Sequence, residues 1–159
     1  MPCIFITGSA GGPGRAATGA LIGDGHDVVL HARIRERAAA LSDLPPDAAG
    51  VVTGDLSSSV AQTRELAGQV NQTGRMDTVL RNAGVYLEPS RATTRRRPRE
   101  DTRREHPGPL PAHRADRLIY LSGGLHHAAA GSLRDIDWTG RSWNAAQAFA
   151  ESKLHATGR

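Results

Sequence analysis

Short apolar runs alternate with stretches of helical periodicity through the first half of the chain, which predicts a β-α-β-α-β-α-β order. The predicted strands are 3–7, 28–31, 51–53 and 78–80, each rich in β-branched or large apolar residues and too short for a helix. Between them, 14–21, 33–41 and 59–70 carry helix patterns; in the last, Val60, Leu66, Ala67 and Val70 recur near helical spacing. Strands that alternate with helices imply a parallel sheet, because a crossover helix is what joins parallel neighbours. The pattern therefore predicts an α/β chain, a Rossmann-like doubly wound parallel sheet.

The periodicity stops past position 88. Residues 88–116 hold five of the nine prolines, and Ala92, Leu110, Ala112 and Ala115 are too few to give a helix a buried face. Order resumes with a strand at 118–121 and a loop of Gly, His and Ala. Then come Asp135 and Asp137 ahead of Trp138, and a helix at about 142–155. A length of 159 residues suits one core, so the expectation is a single domain over 1–159, incomplete at its C-terminal end. Within it, 88–116 reads as an irregular Arg/Pro-rich segment.

Charge and composition change this picture only locally. The net charge is +4, yet nine arginines against four acids between Arg91 and Arg117 more than account for it. Clustered arginine can neutralise phosphates, but this stretch lacks aromatics and is interleaved with proline, so no nucleic-acid partner is expected. No run of about 18 apolar residues is present, and the opening apolar run is too short for a signal peptide. The reading is a cytoplasmic protein without a membrane partner. Cys3 is the sole cysteine, which excludes an internal disulfide and suits buried packing in a strand. His126, His127 and His155 lack a carboxylate framework, so no metal site is expected. Trp138 and Trp143 read as packing residues, and Asp135 and Asp137 as loop caps.

The chemistry sits at the ends of the predicted strands. Directly after the first, Thr7-Gly8-Ser9-Ala10-Gly11-Gly12-Pro13-Gly14 fits T-G-x-x-x-G-x-G. Bare positions at Gly8, Gly12 and Gly14, with Ser9 inside the turn, let the backbone approach a pyrophosphate at a helix N-terminus. Asp55 and Leu56, after Gly54, suit a carboxylate that contacts adenine. Asn82, Ala83 and Gly84 suit a backbone that passes close to the same ligand. Three strand ends thus converge on one crevice, where doubly wound sheets bind ligands.

On these residues the sequence resembles the short-chain dehydrogenase/reductase family, whose marks are this glycine turn, a D-L pair, N-A-G, a serine after strand five and Y-x-x-x-K. The stretch from Leu118 through Trp138 to Leu154 resembles the branch with a long serine-to-tyrosine spacing, which includes retinol-dehydrogenase-like members. The resemblance implies a nicotinamide cofactor and interconversion of an alcohol and a carbonyl on a small organic molecule. It places the catalytic serine at Ser122, or one residue on where Gly123 stands, and the lysine at Lys153. The end of strand two reads His31-Ala32-Arg33 with no acid for a ribose 2′-OH, so NADP is favoured over NAD. Arg33 is then assigned to the 2′-phosphate, with Arg15 as support; the other reading makes Arg33 a solvated residue at a helix start.

Three features depart from the family. Phe149 occupies the tyrosine position, where family chemistry needs a phenol. No helix with an asparagine occurs between Val85 and Leu121. Read one base out of frame with synonymous codons chosen freely, 97–116 can spell such a helix, so an out-of-frame segment and a genuine arginine-rich loop stand as alternatives. Finally, the chain stops at Arg159, where the family continues into further strands and a lobe over the substrate. An open sheet edge and self-association into a homo-oligomer are the expected consequence. Two functions follow: an impaired NADP-dependent oxidoreductase, or a non-catalytic nucleotide-binding or scaffold protein.

Overall fold

A computed structural model describes residues 1–39, 41, 48–84, 115–129, 135 and 138–156. The Arg/Pro-rich stretch up to residue 114, Val85 and Asp137 lie outside the described residues. The described elements are β1 (Cys3–Ile6), α1 (Gly12–Gly23), β2 (Asp27–Ala32), α2 (Arg35–Ala39), β3 (Ala48–Thr53), α3 (Val60–Thr73) and β4 (Thr78–Arg81). After them come β5 (Arg117–Tyr120), a 3-10 turn (Gly124–Ala128) and α4 (Ala145–Ala156). They fall into two compact units, one from Met1–Ala83 with β5 up to Ile119, the other from Tyr120 onward.

The sheet of the first unit runs β3-β2-β1-β4-β5. β1 is parallel to β2 and β4, and β2 is parallel to β3. The chain winds outward from β1 to β3 and then returns to the other side of β1, so the order reverses between β1 and β4. That reversal is where a doubly wound sheet opens a crevice at the carboxyl ends of its strands.

Alternate residues of β1 face opposite sides of the sheet. Ile4 and Ile6 pack with Val28, Leu30, Ala32 and Ile22 of α1. Phe5 packs with Val29, Val52, Val79 and with Leu66, Ala67 and Val70 of α3. Both faces are apolar, as a sheet covered on two sides requires, and each large side chain fully buried here contributes about 1.5–3 kcal/mol.

Element boundaries moved for local reasons. α1 begins at Gly12, two residues earlier than its apolar pattern, with Pro13 in the first turn where a missing N–H costs nothing. α2 spans Arg35–Ala39 among the described residues. β3 spans Ala48–Thr53 instead of beginning at 51, because Ala48 and Gly50 pair with Val28 and Val29 of β2 across a bulge that skips Ala49. α3 starts after Ser59, whose hydroxyl accepts from Gln62 N–H at 3.2 Å, and runs on to Thr73. α4 starts at Ala145, because Asn144 Oδ1 accepts from Gln147 N–H at 3.0 Å and ends the preceding loop.

Candidate functional site

At the switch point the T-G and N-A-G segments are bonded to each other. Thr7 Oγ1, buried at the end of β1, accepts from the N–H groups of Asn82 (3.0 Å) and Ala83 (2.9 Å). In return, the Asn82 amide donates to the carbonyls of Thr7 (3.0 Å) and Gly8 (3.3 Å). Residues 74 to 76 apart in sequence therefore fix one another, and the turn's path follows from this lock.

Glycine is required at two of the turn's positions for different reasons. Gly8 has φ +72, and an added Cβ would lie 3.1 Å from Ala83 Cα. At Gly14 a Cβ would fall 2.3 Å from Asn82 Nδ2 and 2.4 Å from the Gly8 carbonyl oxygen, so no side chain fits. Gly12 is different: it has φ +53 and open space around its missing Cβ. Gly14 thus packs helix against strand, while Gly11 and Gly12 leave the tip of the turn clear. α1 begins at this tip without a side-chain cap, so its first N–H groups and the helix dipole suit an anion. A bare tip, a tightly packed base and an uncapped helix start fit a dinucleotide pyrophosphate. Ser9 is used internally: its hydroxyl donates to the Ile6 carbonyl at 2.5 Å and accepts from His31 N–H at 3.1 Å.

An open pocket of about 290 Å³ lies beside the ends of β2 and β3, lined by Arg33, Arg35, Gly54, Asp55, Gln62 and Glu65 among others. Arg33 Nε pairs with Asp55 Oδ2 at 3.0 Å and its Nη2 donates to Ser57 Oγ at 3.3 Å. Burial raises the Asp55 carboxyl, but hydrogen bonds from Ser57 Oγ (2.5 Å) and N–H (2.8 Å) and the Arg33 cation outweigh it. They hold the group below its ordinary range. Leu56 packs its side chain against the core cluster of Phe5 and Leu66. Gly84 is exposed.

Sequence reasoning took His31 only as a sign that no acid was present; the structure gives it a larger part. The side chain is buried, accepts from Gly8 N–H at Nδ1 (2.9 Å), and stands at Nε2 2.8 Å from the Gly54 carbonyl. Arg35 was also missed as a pocket residue; a second cation two positions after Arg33 was the available signal.

The second unit gathers the other predicted positions on α4 and the segment before the 3-10 turn. Lys153 Nζ donates to the Leu121 carbonyl at 3.2 Å and lies 5.3 Å from the centre of the Phe149 ring. The Ser122 hydroxyl, half-buried, donates to the Lys153 carbonyl at 3.4 Å. Burial lowers the Lys153 ammonium below its ordinary range. Ser122, Phe149 and Lys153, the positions the family resemblance points to, are thus linked through Lys153: its backbone carbonyl meets the Ser122 hydroxyl and its ammonium lies by the Phe149 ring.

A polar frame surrounds α4. Arg141 makes a two-pronged pair with buried Glu151, Nη1–Oε1 2.9 Å and Nη2–Oε2 2.6 Å, and lies 3.6 Å over the ring of Trp138. Trp138 and Trp143 meet edge to face at 5.4 Å, as packing residues do. Asp135 Oδ1 accepts from Gly140 N–H and from Thr139 N–H and hydroxyl, which caps the loop and holds its carboxyl below the ordinary range. His126 and His127 stack on each other. Among the described residues no group of three potential metal ligands occurs, and no helix is long and apolar enough to cross a membrane.

Residues 2–105 match the family model for short chain dehydrogenase. The chain is 38% identical over 161 residues to the short-chain dehydrogenase chry4 of Gibberella zeae, and 37% identical to chyC of Penicillium rubens. Each comparison covers 98% of this chain and 62% of the relative, so the chain spans less than two thirds of their length. In fold it is similar to a crystal structure of an uncharacterized protein from Mycobacterium paratuberculosis. The TM-score is 0.79 at 22% identity, over 98% of this chain and 59% of that one. It is also similar to a Serratia marcescens short-chain dehydrogenase/reductase, at TM-score 0.62 and 20% identity over 99% of this chain and 64% of that one. The chain belongs to the short-chain dehydrogenase family, whose members are oxidoreductases that bind nicotinamide dinucleotides and act on small molecules.

Proposed function

We propose that this chain binds NADP(H) on the glycine turn and descends from enzymes that interconvert an alcohol and a carbonyl, with turnover impaired by Phe149. The observation that carries the binding half is the interlocked turn, bare at Gly11 and Gly12, beside a pocket with Arg33 and Arg35 on its wall. Backbone N–H groups at the start of α1 hold the pyrophosphate, Asn82 and Ala83 set the turn's shape, and Asp55 faces the adenosine end. Arg33, with Arg35, takes the 2′-phosphate, and guanidinium suits that group because it can meet two oxygens at once. To do so Arg33 exchanges Asp55 for the ligand, so the carboxylate acts as its resting partner.

A bound nicotinamide supplies the hydride chemistry. Of the chain's own residues, Lys153 holds the ribose and Ser122 orients the substrate oxygen. The residue at 149 would exchange a proton with that oxygen, and phenylalanine has none to give. Loss of such general acid–base help commonly costs on the order of 10²- to 10⁴-fold. The exposed Leu118 and Ile119 on β5 support self-association of this chain. A fluorescence titration with NADPH and with NADH tests the binding half. NADPH binds more tightly, and Arg33→Ala weakens NADPH by about 10-fold while leaving NADH nearly unchanged. Equal affinities in both proteins would remove Arg33 from the site.

A further inference from the structure

His31 ties together two parts of the molecule that the family motifs describe separately. Its Nδ1 accepts from Gly8 N–H at 2.9 Å, inside the glycine turn, and its Nε2 is 2.8 Å from the carbonyl of Gly54, on the pocket wall next to Asp55. Only one form of the ring satisfies both bonds: neutral, with its hydrogen on Nε2 and a lone pair on Nδ1. The backbone of His31 is held as well, since its N–H donates to Ser9 Oγ and its carbonyl accepts from Ser9 N–H at 3.0 Å. Gly8 is thus held at both of its peptide groups, by His31 at its N–H and by Asn82 at its carbonyl. A left-handed glycine held this way has its orientation set before any ligand arrives.

We infer that the neutral imidazole of His31 is a positioning residue for the nucleotide: it fastens the glycine turn to the adenosine-side pocket, so that affinity depends on a bare Nδ1 and falls when that nitrogen is protonated. This role rests on the nucleotide-binding reading of the turn. Protonation at Nδ1 would set two donors against each other, Nδ1–H and Gly8 N–H, and the turn would have to shift. Burial pushes the ring below the ordinary histidine range, against the opposite pull of the Gly54 hydrogen bond and the Asp55 charge. Asp55 is itself paired with Arg33. From α3, Glu65 lines the same pocket. β1 and the turn contribute uncharged Phe5, Gly8 and Ser9.

Three variants separate the two bonds. His31→Asn keeps an acceptor near the Nδ1 position, His31→Gln keeps a donor near the Nε2 position, and His31→Phe keeps ring shape without either. With NADPH as probe at pH 7.5, His31→Phe and His31→Gln bind about 10-fold more weakly than the unmodified chain, and His31→Asn stays within about 3-fold. On lowering the pH to 5.5 the unmodified chain loses more affinity than His31→Asn; the 2′-phosphate titrates equally in both, so the difference belongs to His31. Thermal unfolding verifies that each variant is folded. Should His31→Phe not fold, the pH comparison with His31→Asn decides. Ring nitrogen chemical shifts of the unmodified chain provide a readout without ligand: Nε2–H at pH 7.5 supports the role and Nδ1–H overturns it. Equal affinities across the variants and one common pH profile overturn this role alone. No NADPH binding by the unmodified chain overturns the nucleotide reading with it.

Discussion

The strand ends of the first unit and the face of α4 in the second differ in how their function is distributed. At the strand ends, shape is shared among many bonds: Thr7 with Asn82 and Ala83, Gly8 with His31 and Asn82, His31 with Gly54. On α4, Lys153 and Phe149 share one face, and on the proposed reading proton transfer there depends on a single oxygen that Phe149 lacks. On the same proposed reading, a binding surface whose shape is shared among many bonds weakens by degrees when one residue changes. A proton-transfer site does not, which is why one substitution can separate binding from turnover in the same chain.

Restoring that oxygen sharpens the contrast most. Phe149→Tyr is expected to raise NADPH-dependent carbonyl reduction on the order of 10²- to 10⁴-fold, measured as loss of NADPH absorbance with small aldehydes and ketones, while NADPH affinity changes little. The opposite break is made at Gly14. With only 2.3 Å to Asn82 Nδ2 and 2.4 Å to the Gly8 oxygen, a Cβ there pushes α1 off the turn or displaces Asn82 from Gly8. Gly14→Ala should weaken NADPH about 10- to 100-fold, the equivalent of about 1–3 kcal/mol of overpacking, and calorimetry reads it directly. The Arg33→Ala effect on NADPH, about 10-fold, is of the lower end of that size but confined to one cofactor.

The smallest effect is on stability. His31 is neutral in the folded chain and its pKa is lowered there, so the unfolded chain takes up the proton first as pH falls. Stability from this group is complete above the ordinary value of about 6.5 and is lost as pH drops from there toward the lowered value, by at most about 1.4 kcal/mol per pH unit. Urea midpoints at pH 7.5 and 5.5 should show the loss in the unmodified chain and a smaller one in His31→Asn.

The parts of the molecule legible in sequence are those whose demands are local. β1, β2 and β4 are short apolar runs, and Gly8, Gly12 and Gly14 report backbone geometry directly. The i to i+4 spacing of Phe149 and Lys153 puts them on one helix face. Ala48, Ala49 and Gly50 have no bulk to signal a strand; they extend because β2 offers Ala48 and Gly50 partners at Val28 and Val29, with Ala49 bulged between them. The role of His31 was illegible for a related reason. A histidine at a strand end is ordinary until folding brings Gly8 and Gly54, each 23 residues away, to its two nitrogens. The Arg141–Glu151 pair, ten residues apart across a loop, is likewise a product of tertiary placement.

The most direct measurement titrates NADPH into the unmodified chain while following nicotinamide fluorescence and carbonyl reduction in the same sample. Saturable binding, with reduction at least about 100-fold slower than in Phe149→Tyr, is the predicted result. Absence of binding, or reduction as fast as that of Phe149→Tyr, would contradict a chain that keeps its nucleotide site and has lost its proton donor.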